Sequence, residues 1–525
     1  MNKNYIFAII MLLFVISIST VSANDTYSFT DLQTMVDNTS SNDTLNLNGA
    51  TFNQSLGGNT IHINKNIQIN GASKDNPNLI STIDGNCKNN IFTISDGVSA
   101  SFMNILFING KSDYGGAIYG GYKCSVNIDN CTFTDNTANR QGGAVYVNQN
   151  SDLSINDGIF SNNVADNGGA IYGAKNTDLK INNSIFTSNE AKGNGGAIFI
   201  DESSGLNIDN CHFNNLIAEV DGGAIYGRSN VIVKRCTFNN TAVNKGSGGA
   251  IFGYGRIYVS GSTFTDIKAN MGSGGAIFGH GDISVSDSTF IYTTVKSEGG
   301  AIYGKSKINV TNSIFKNTKS KNDCGGAIFT SCGNVAVINS SFTNITAGNY
   351  GDKFRSDGSH GGAIYTGCGN VTVINSSFTN ITAALSSGAI YARGSVTVIN
   401  STFNYCRAGY GCGGAIRSWY GVTAINSSFT NNKAGYSGGA IDVEFRGVRV
   451  INSSFINNKA GINGGAIYTN MVTATNSSFI NNRAESLGGA IYTHDGLTYK
   501  NSTFTSNTAV HKGNTAFISG CGDYW

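Results

Sequence analysis

Two motifs recur through this chain on one beat, and that shared beat limits the fold more than any other feature. Gly-Gly-Ala followed by Ile or Val begins at Gly115, Gly142, Gly168, Gly195, Gly222, Gly248, Gly274, Gly299, Gly325, Gly361, Gly413, Gly438, Gly464 and Gly488, and Ser387-Gly388-Ala389-Ile390 fills the missing step. The steps are 24 to 27 residues, apart from one of 36 between Gly325 and Gly361. A phenylalanine column keeps the same step from Phe107 through Phe133, Phe160, Phe378 and Phe403 to Phe504. A unit this short cannot bury its own apolar face, so neighbours must stack on it, as in a solenoid.

Inside one unit, Gly361 to Tyr365, Val371 to Val373 and Ser376 to Phe378 alternate with period 2 and are separated by Gly or Asn turns. Three such runs per turn predict an all-β, right-handed parallel β-helix with three short strands per coil. Paired-helix repeats need longer periods, and a leucine-rich repeat needs a Leu ladder that is missing here. Disorder is excluded because hydrophobic residues make up 40% of the chain and fall on the period, although 68 Gly, one Pro and 13% charged residues are far from average. The formal net charge of +2 gives no footprint for nucleic acid or for an anionic membrane.

Residues 1–23 read as an export signal, with Lys3, an apolar run from Ile6 to Ile18, and Val21-Ser22-Ala23 as a small-x-small cleavage site. Export places the protein outside the cell or at its surface, with no membrane span in the mature chain. The rest, 24–525, is expected to be a single β-helix domain: a cap over 24–44, irregular first coils over 45–110, and repeat coils over 111–525. Within the cap, Thr30 to Val36 predicts a short amphipathic helix, with Ser28 or Thr30 as N-cap, that shields the open strand edge.

Gly-Gly-Ala-Ile alternates with Phe-x-x-Asn, as in Phe133 to Asn136, Phe160 to Asn163, Phe186 to Asn189, Phe429 to Asn432, Phe455 to Asn458 and Phe479 to Asn482. These pairs resemble the repeats of chlamydial polymorphic outer membrane proteins. The Asn-rich, Pro-poor chain is also similar to adhesin-like β-helix proteins of methanogenic archaea. The resemblance runs from about residue 45 to the end and implies a pectin-lyase-like solenoid on a cell surface. It departs from the chlamydial pattern in lacking a C-terminal translocator barrel, and in middle coils that replace the Asn, as with Ile345 after Phe342.

Because the repeats are internal, each column can be read along the chain. The position after Gly-Gly-Ala-Ile is aromatic in most coils, including Tyr303, Phe329, Tyr365 and Tyr391, but Arg417 and Asp442 occupy it in successive coils. Charges there argue for an outward column, so the rings form a candidate strip for stacking on sugars or docking a protein. Equally, they could cover the glycine-rich strand or pack beneath turn loops. The long step holds an insertion over 348–360 with Tyr350, Lys353, Phe354 and Arg355, a second candidate contact site or a tolerated surface loop. Cys332 with Cys368, and Cys211 with Cys236, fall in register on adjacent coils and could be disulfides or buried thiols. Asn339, Asn375, Asn400, Asn426, Asn452, Asn476 and Asn501 share one column as Asn-x-Ser/Thr sequons, which predicts an amide ladder at a tight turn.

No Cys-x-x-Cys or His cluster points to a metal, and no cofactor is expected. Gly279-His280-Gly281 and Asn176-Thr177-Asp178 match fragments of polygalacturonase motifs but lie four coils apart, without the clustered carboxylates that such chemistry needs. The expected function is adhesion without turnover, through a surface glycan or protein of another cell. A polysaccharide lyase or hydrolase, and an architectural envelope component, are the alternatives.

Overall fold

The structure, a computed structural model, describes residues 25–348 and 359–519. It resolves into two compact units, one of 25–218 with 224–229 and the other of 219–223 with 230–519. Each unit is a right-handed stack of parallel coils.

One coil of the first unit shows the local logic. Its strands are β1 (Ile118–Gly120), β2 (Ser125–Asp129), β3 (Thr132–Thr134) and β4 (Thr137–Gln141). To the three expected strands the structure thus adds a short fourth. The corner between β2 and β3 is Asn130 (φ 45°) and the break between β3 and β4 is Asp135 (φ 57°). Asn and Asp accept this left-handed conformation at little cost, which is why they recur at both positions. The Gly-Gly pair has two separate causes. Gly142 lies at φ 66°, and a Cβ on Gly143 would come within 2.0 Å of the Gly169 carbonyl oxygen of the next coil. The first glycine is needed for its backbone angle and the second for close passage of the neighbouring chain.

In each unit the first two strands of every coil join one parallel sheet and the last two another. Each strand pairs with its own counterpart one coil on, as in Ile118 with Val145, Phe133 with Phe160, and Phe378 with Phe403. Consequently the Phe column becomes a ladder. Rings from Phe107 to Phe213 stack at centroid distances of 4.6 to 4.9 Å with planes within 8°. In the second unit, Phe238 to Phe504 stack at 4.7 to 5.0 Å, with Phe378 and Phe403 at 4.8 Å and 2°. Parallel rings in contact lie about 3.5 Å apart plane to plane, so the longer centroid spacing means that they are slid sideways into the favoured offset stack.

Polar groups inside the coils follow the same register. Asn136 donates from Nδ2 to the Phe107 carbonyl (3.1 Å) and to Asn163 Oδ1 (3.1 Å), which also accepts the Asn136 backbone N–H (3.1 Å). The pattern repeats through Asn163 and Asn189, and in the second unit through Asn432, Asn458, Asn482 and Asn507. A buried serine column from Ser262 to Ser502 works likewise, each hydroxyl accepting the backbone N–H of the preceding coil's serine. These amides and hydroxyls are thus satisfied without water.

The N-terminal cap is helix α1 (Phe29–Asn38), with Ser28 as N-cap and Asp31 closing a capping box. Phe29, Leu32 and Val36 are buried. Gln33 completes the cap, because its amide donates to the His62 carbonyl (3.2 Å) and accepts the His62 N–H (2.7 Å). It thereby covers the outer edge of the strand Ile61–Ile63. Among the described residues no helix is long and apolar enough to cross a membrane. The expected export signal lies outside the described residues.

Removing one ring from the ladder leaves a void lined by two others. Phe378→Ala should lower unfolding stability by about 3 to 5 kcal/mol and Phe378→Leu by less, measured by urea denaturation. Equal, small effects would show that this ring does not stack.

Candidate functional site

The aromatic column next to Ile in the first strand faces away from the coil interior, as alternation requires. Its rings also stack, with Tyr303 to Phe329 at 4.9 Å, Phe329 to Tyr365 at 4.9 Å, and Tyr365 to Tyr391 at 5.1 Å. Yet Tyr172, Phe199, Phe252 and Tyr391 are buried, and Tyr303, Phe329 and Tyr365 are half-buried. The expected exposed strip is therefore a largely covered ladder. The Phe329 side chain starts close against its own Gly-Gly turn, where a Cβ on Gly325 would come within 3.0 Å of the Phe329 Cβ. Burial pushes the Tyr146 and Tyr365 phenols up to about 12. Tyr119, Tyr303, Phe329, Tyr365 and Tyr468 keep part of their surface accessible.

Arg417 and Asp442 interrupt this ladder between Tyr391 and Tyr468. Arg417 Nε lies 3.4 Å from Asp442 Oδ1, and its Nη2 donates to Glu444 Oε2 at 2.9 Å. Asp442 is 2% exposed. Burial outweighs the pull of Arg417 and lifts the Asp442 carboxyl to about 7. His360 packs on Tyr391 at 4.8 Å and is driven down to about 4 by burial and then by Arg417 and Arg393. Tyr468 shares a hydrogen bond of 3.0 Å with His494 Nε2. The cluster is polar, and over two coils it replaces stacking with the ion pair of Arg417 and Glu444 beside the buried Asp442 carboxyl.

Cys332 and Cys368 form the expected disulfide between adjacent coils, with Cα atoms 4.8 Å apart. The expected Cys211–Cys236 disulfide is not formed: both are buried thiols. The Cys211 S–H donates to the Asp209 carbonyl and that of Cys236 to the Lys234 carbonyl. Each small sulfur therefore fills the coil corner and satisfies a carbonyl there. Tyr350, Lys353, Phe354 and Arg355 lie outside the described residues. The sequon asparagines form the expected ladder, each Nδ2 donating to the Oδ1 of the preceding coil's Asn at 3.1 to 3.2 Å from Asn339 to Asn476. Among the described residues no group of three His, Cys, Asp or Glu could hold a metal ion.

Accessible concave surfaces lie along the corner of Asn426, Asn452 and Asn476, about 370 Å³, and on the outer face of the second strands. On that face one groove, of about 570 Å³, is lined by Lys234, Tyr258, Ser260, Ser284, Ser286, Asn309 and Thr311 with Ile232, Val259 and Val285. Tyr258 is 41% exposed. It stands in the column Ile232, Tyr258, Ser284, Asn309, one residue per coil. A second groove, of about 320 Å³, holds Thr397, Tyr420, Thr423, Arg446, Arg449 and Thr473. Trp419 lies beside the Tyr420 wall, with Arg393 above its ring at 5.1 Å and its Nε1 donating to Tyr391 Oη at 2.8 Å. Reading the middle residue of each Val-x-Val run as outward would have found both grooves, since alternation fixes that position as firmly as it fixes the core.

Two family models match parts of the chain. Residues 196–360 match a right handed beta helix region. Residues 130–148, 157–174, 183–201, 426–444, 452–470 and 476–494 match the Chlamydia polymorphic membrane protein repeat. Those six segments contain Asn136, Asn163, Asn189, Asn432, Asn458 and Asn482, so the motif behind the likeness coincides with the buried Asn ladders. No curated protein matches the chain by sequence. Among solved structures, a mutant of the PL6 family alginate lyase AlyGC is similar over 92% of this chain and 86% of its own, at 11% identity and a TM-score of 0.28. A likeness that slight bears on no activity.

The Asp442 carboxyl gives the cluster a signature in pH. Folded Asp442 keeps its proton to about 7, whereas the ordinary carboxyl loses it near 3.8. Between these values the folded chain binds the extra proton, so stability falls as pH rises through the window and levels off above it. Asp442→Asn should remove that part of the slope in urea unfolding at pH values from about 4 to 8. His360 contributes the opposite slope and is present in both proteins. An unchanged slope in Asp442→Asn would contradict the assignment.

Proposed function

We propose that the protein is an adhesin-like scaffold of the cell surface that binds saccharide chains without turning them over. The observation that carries this reading is the groove around Tyr258. Beside one exposed ring and one lysine, a row of hydroxyl and amide side chains follows the strand spacing of about 4.8 Å, close to the length of one pyranose. A ring face for stacking and polar groups for sugar hydroxyls are what saccharide recognition requires. No carboxylate lines either groove, and hydrolysis by paired acids needs two, which favours binding over catalysis. The disulfide between Cys332 and Cys368 suits an oxidising, extracellular setting. The match to chlamydial membrane protein repeats supports display at a surface.

A glycan array probed with the mature chain tests this reading. Bound glycans should be lost in Tyr258→Ala, kept in Tyr365→Ala, and recovered with unchanged mass after incubation. Glycans shortened or unsaturated on recovery would favour the enzyme, and no bound glycan at all would favour a purely architectural role.

A further inference from the structure

The near-neutral net charge conceals a strong division. Residues 1–218 with 224–229 hold eleven Lys and Arg against eighteen Asp and Glu, whereas the second unit holds twenty-three against fourteen. Part of that positive surplus is organised. In the fourth strand of four successive coils, the outward position is Arg407, Lys433, Lys459 and Arg483, paired in register one above another. Arg407, Lys433 and Arg483 are exposed, and Lys459 is half-buried.

Like charges stacked at the strand spacing repel one another. At about 4.8 Å apart they lie within the screening length of physiological salt and act as one line of charge. Glu485 bridges Lys459 (2.7 Å) and Arg483 (3.0 Å), and these two cations hold its carboxyl down to about 2. Lys433 has no ion pair among the described residues. Elsewhere in the same column the chain places Thr, at Thr294, Thr346, Thr382 and Thr508. The fold does not require a cation here.

The flanks show what such a line could hold. Three residues beyond Lys433, Tyr436 exposes 54% of its surface on the same edge. Two residues before it, half-buried Asn431 and its exposed counterpart Asn457 continue an amide ladder. Cations stacked beside an exposed ring and a row of amides fit a linear acidic polysaccharide, whose carboxylates meet the cations, whose hydroxyls meet the amides and whose sugar faces meet the ring. A nucleic acid strand would find cations and a stacking ring too, but the amides beside the ladder suit sugar hydroxyls, and titration with each separates the two.

We infer that the ladder Arg407–Lys433–Lys459–Arg483 binds a linear acidic polysaccharide with one carboxylate per sugar. This rests on the saccharide-binding reading above and gives it a second, charged site with its own ligand class. The test is calorimetric titration of the mature chain with hexagalacturonate, its fully methyl-esterified counterpart, and a single-stranded oligothymidylate, at low and high salt. The substitutions Lys433→Thr and Lys459→Thr together install residues that the same column already uses, so the coil should persist, checked by circular dichroism. Hexagalacturonate should bind, should weaken with salt, and should lose about tenfold or more in affinity in the double variant. The neutral ester should bind no better than that variant binds the acid. Equal binding of acid and ester, an unaffected double variant, or tighter binding of the oligothymidylate would overturn the inference while leaving glycan binding through Tyr258 intact. If no saccharide of either kind binds, the surface reading falls together with it.

Discussion

In-register parallel pairing between successive coils is the constraint on which everything else in this protein depends. Once each strand hydrogen-bonds its own counterpart one repeat away, a residue type fixed in a sequence column becomes a continuous spatial ladder. The Phe rings, the buried Asn amides and the buried Ser hydroxyls are three versions of that rule, apolar and polar. Each satisfies its neighbour rather than a distant partner, which is how 68 glycines and many asparagines can sit in an ordered chain. The glycine pair is the steric counterpart of the same pairing, because the next coil's backbone occupies the space that a side chain would take.

The fold was legible in the sequence for this reason. The period, the Phe column and the Cys332–Cys368 bridge are statements about register, and register can be counted, while the capping helix, expected over Thr30 to Val36 and found at Phe29–Asn38, was legible from its N-cap and apolar spacing. The fourth strand was harder to see, since two residues such as Val164–Ala165 show no alternation. Cys211 and Cys236 share a column as Cys332 and Cys368 do, but the corner serine and cysteine column has its own use, donating to a carbonyl two residues back. Register brings two thiols close without obliging them to bond.

The candidate site was less legible because alternation separates the two faces of a strand and says nothing of what covers the outer one. Tyr391, in the first strand of its coil, is outward and still buried, while Tyr258, in the second strand of a different coil, is outward and open. Part of the covering comes from the neighbouring rings of the same column, which alternation does not reveal. Net charge misled in a comparable way: +2 for the whole chain is the difference between an acidic and a basic unit, and it hides four stacked cations. The core columns tolerate little change, whereas outward columns pass from Thr to Arg or from Tyr to Asp within one step. A surface can therefore diversify on this scaffold coil by coil without disturbing what holds it together.

Cross-linking across one outward column tests the central claim most directly. Thr397 and Thr423 pair in adjacent coils, whereas Thr473 belongs to the same column two coils beyond Thr423. With the native cysteines blocked, Thr397→Cys with Thr423→Cys should oxidise to a disulfide found by peptide mass spectrometry, since stacked Cα atoms fall inside the distance such a bond tolerates. Thr397→Cys with Thr473→Cys should give none. A failed bond in the first pair, or equal bonding in both, would show that residues one repeat apart are not stacked.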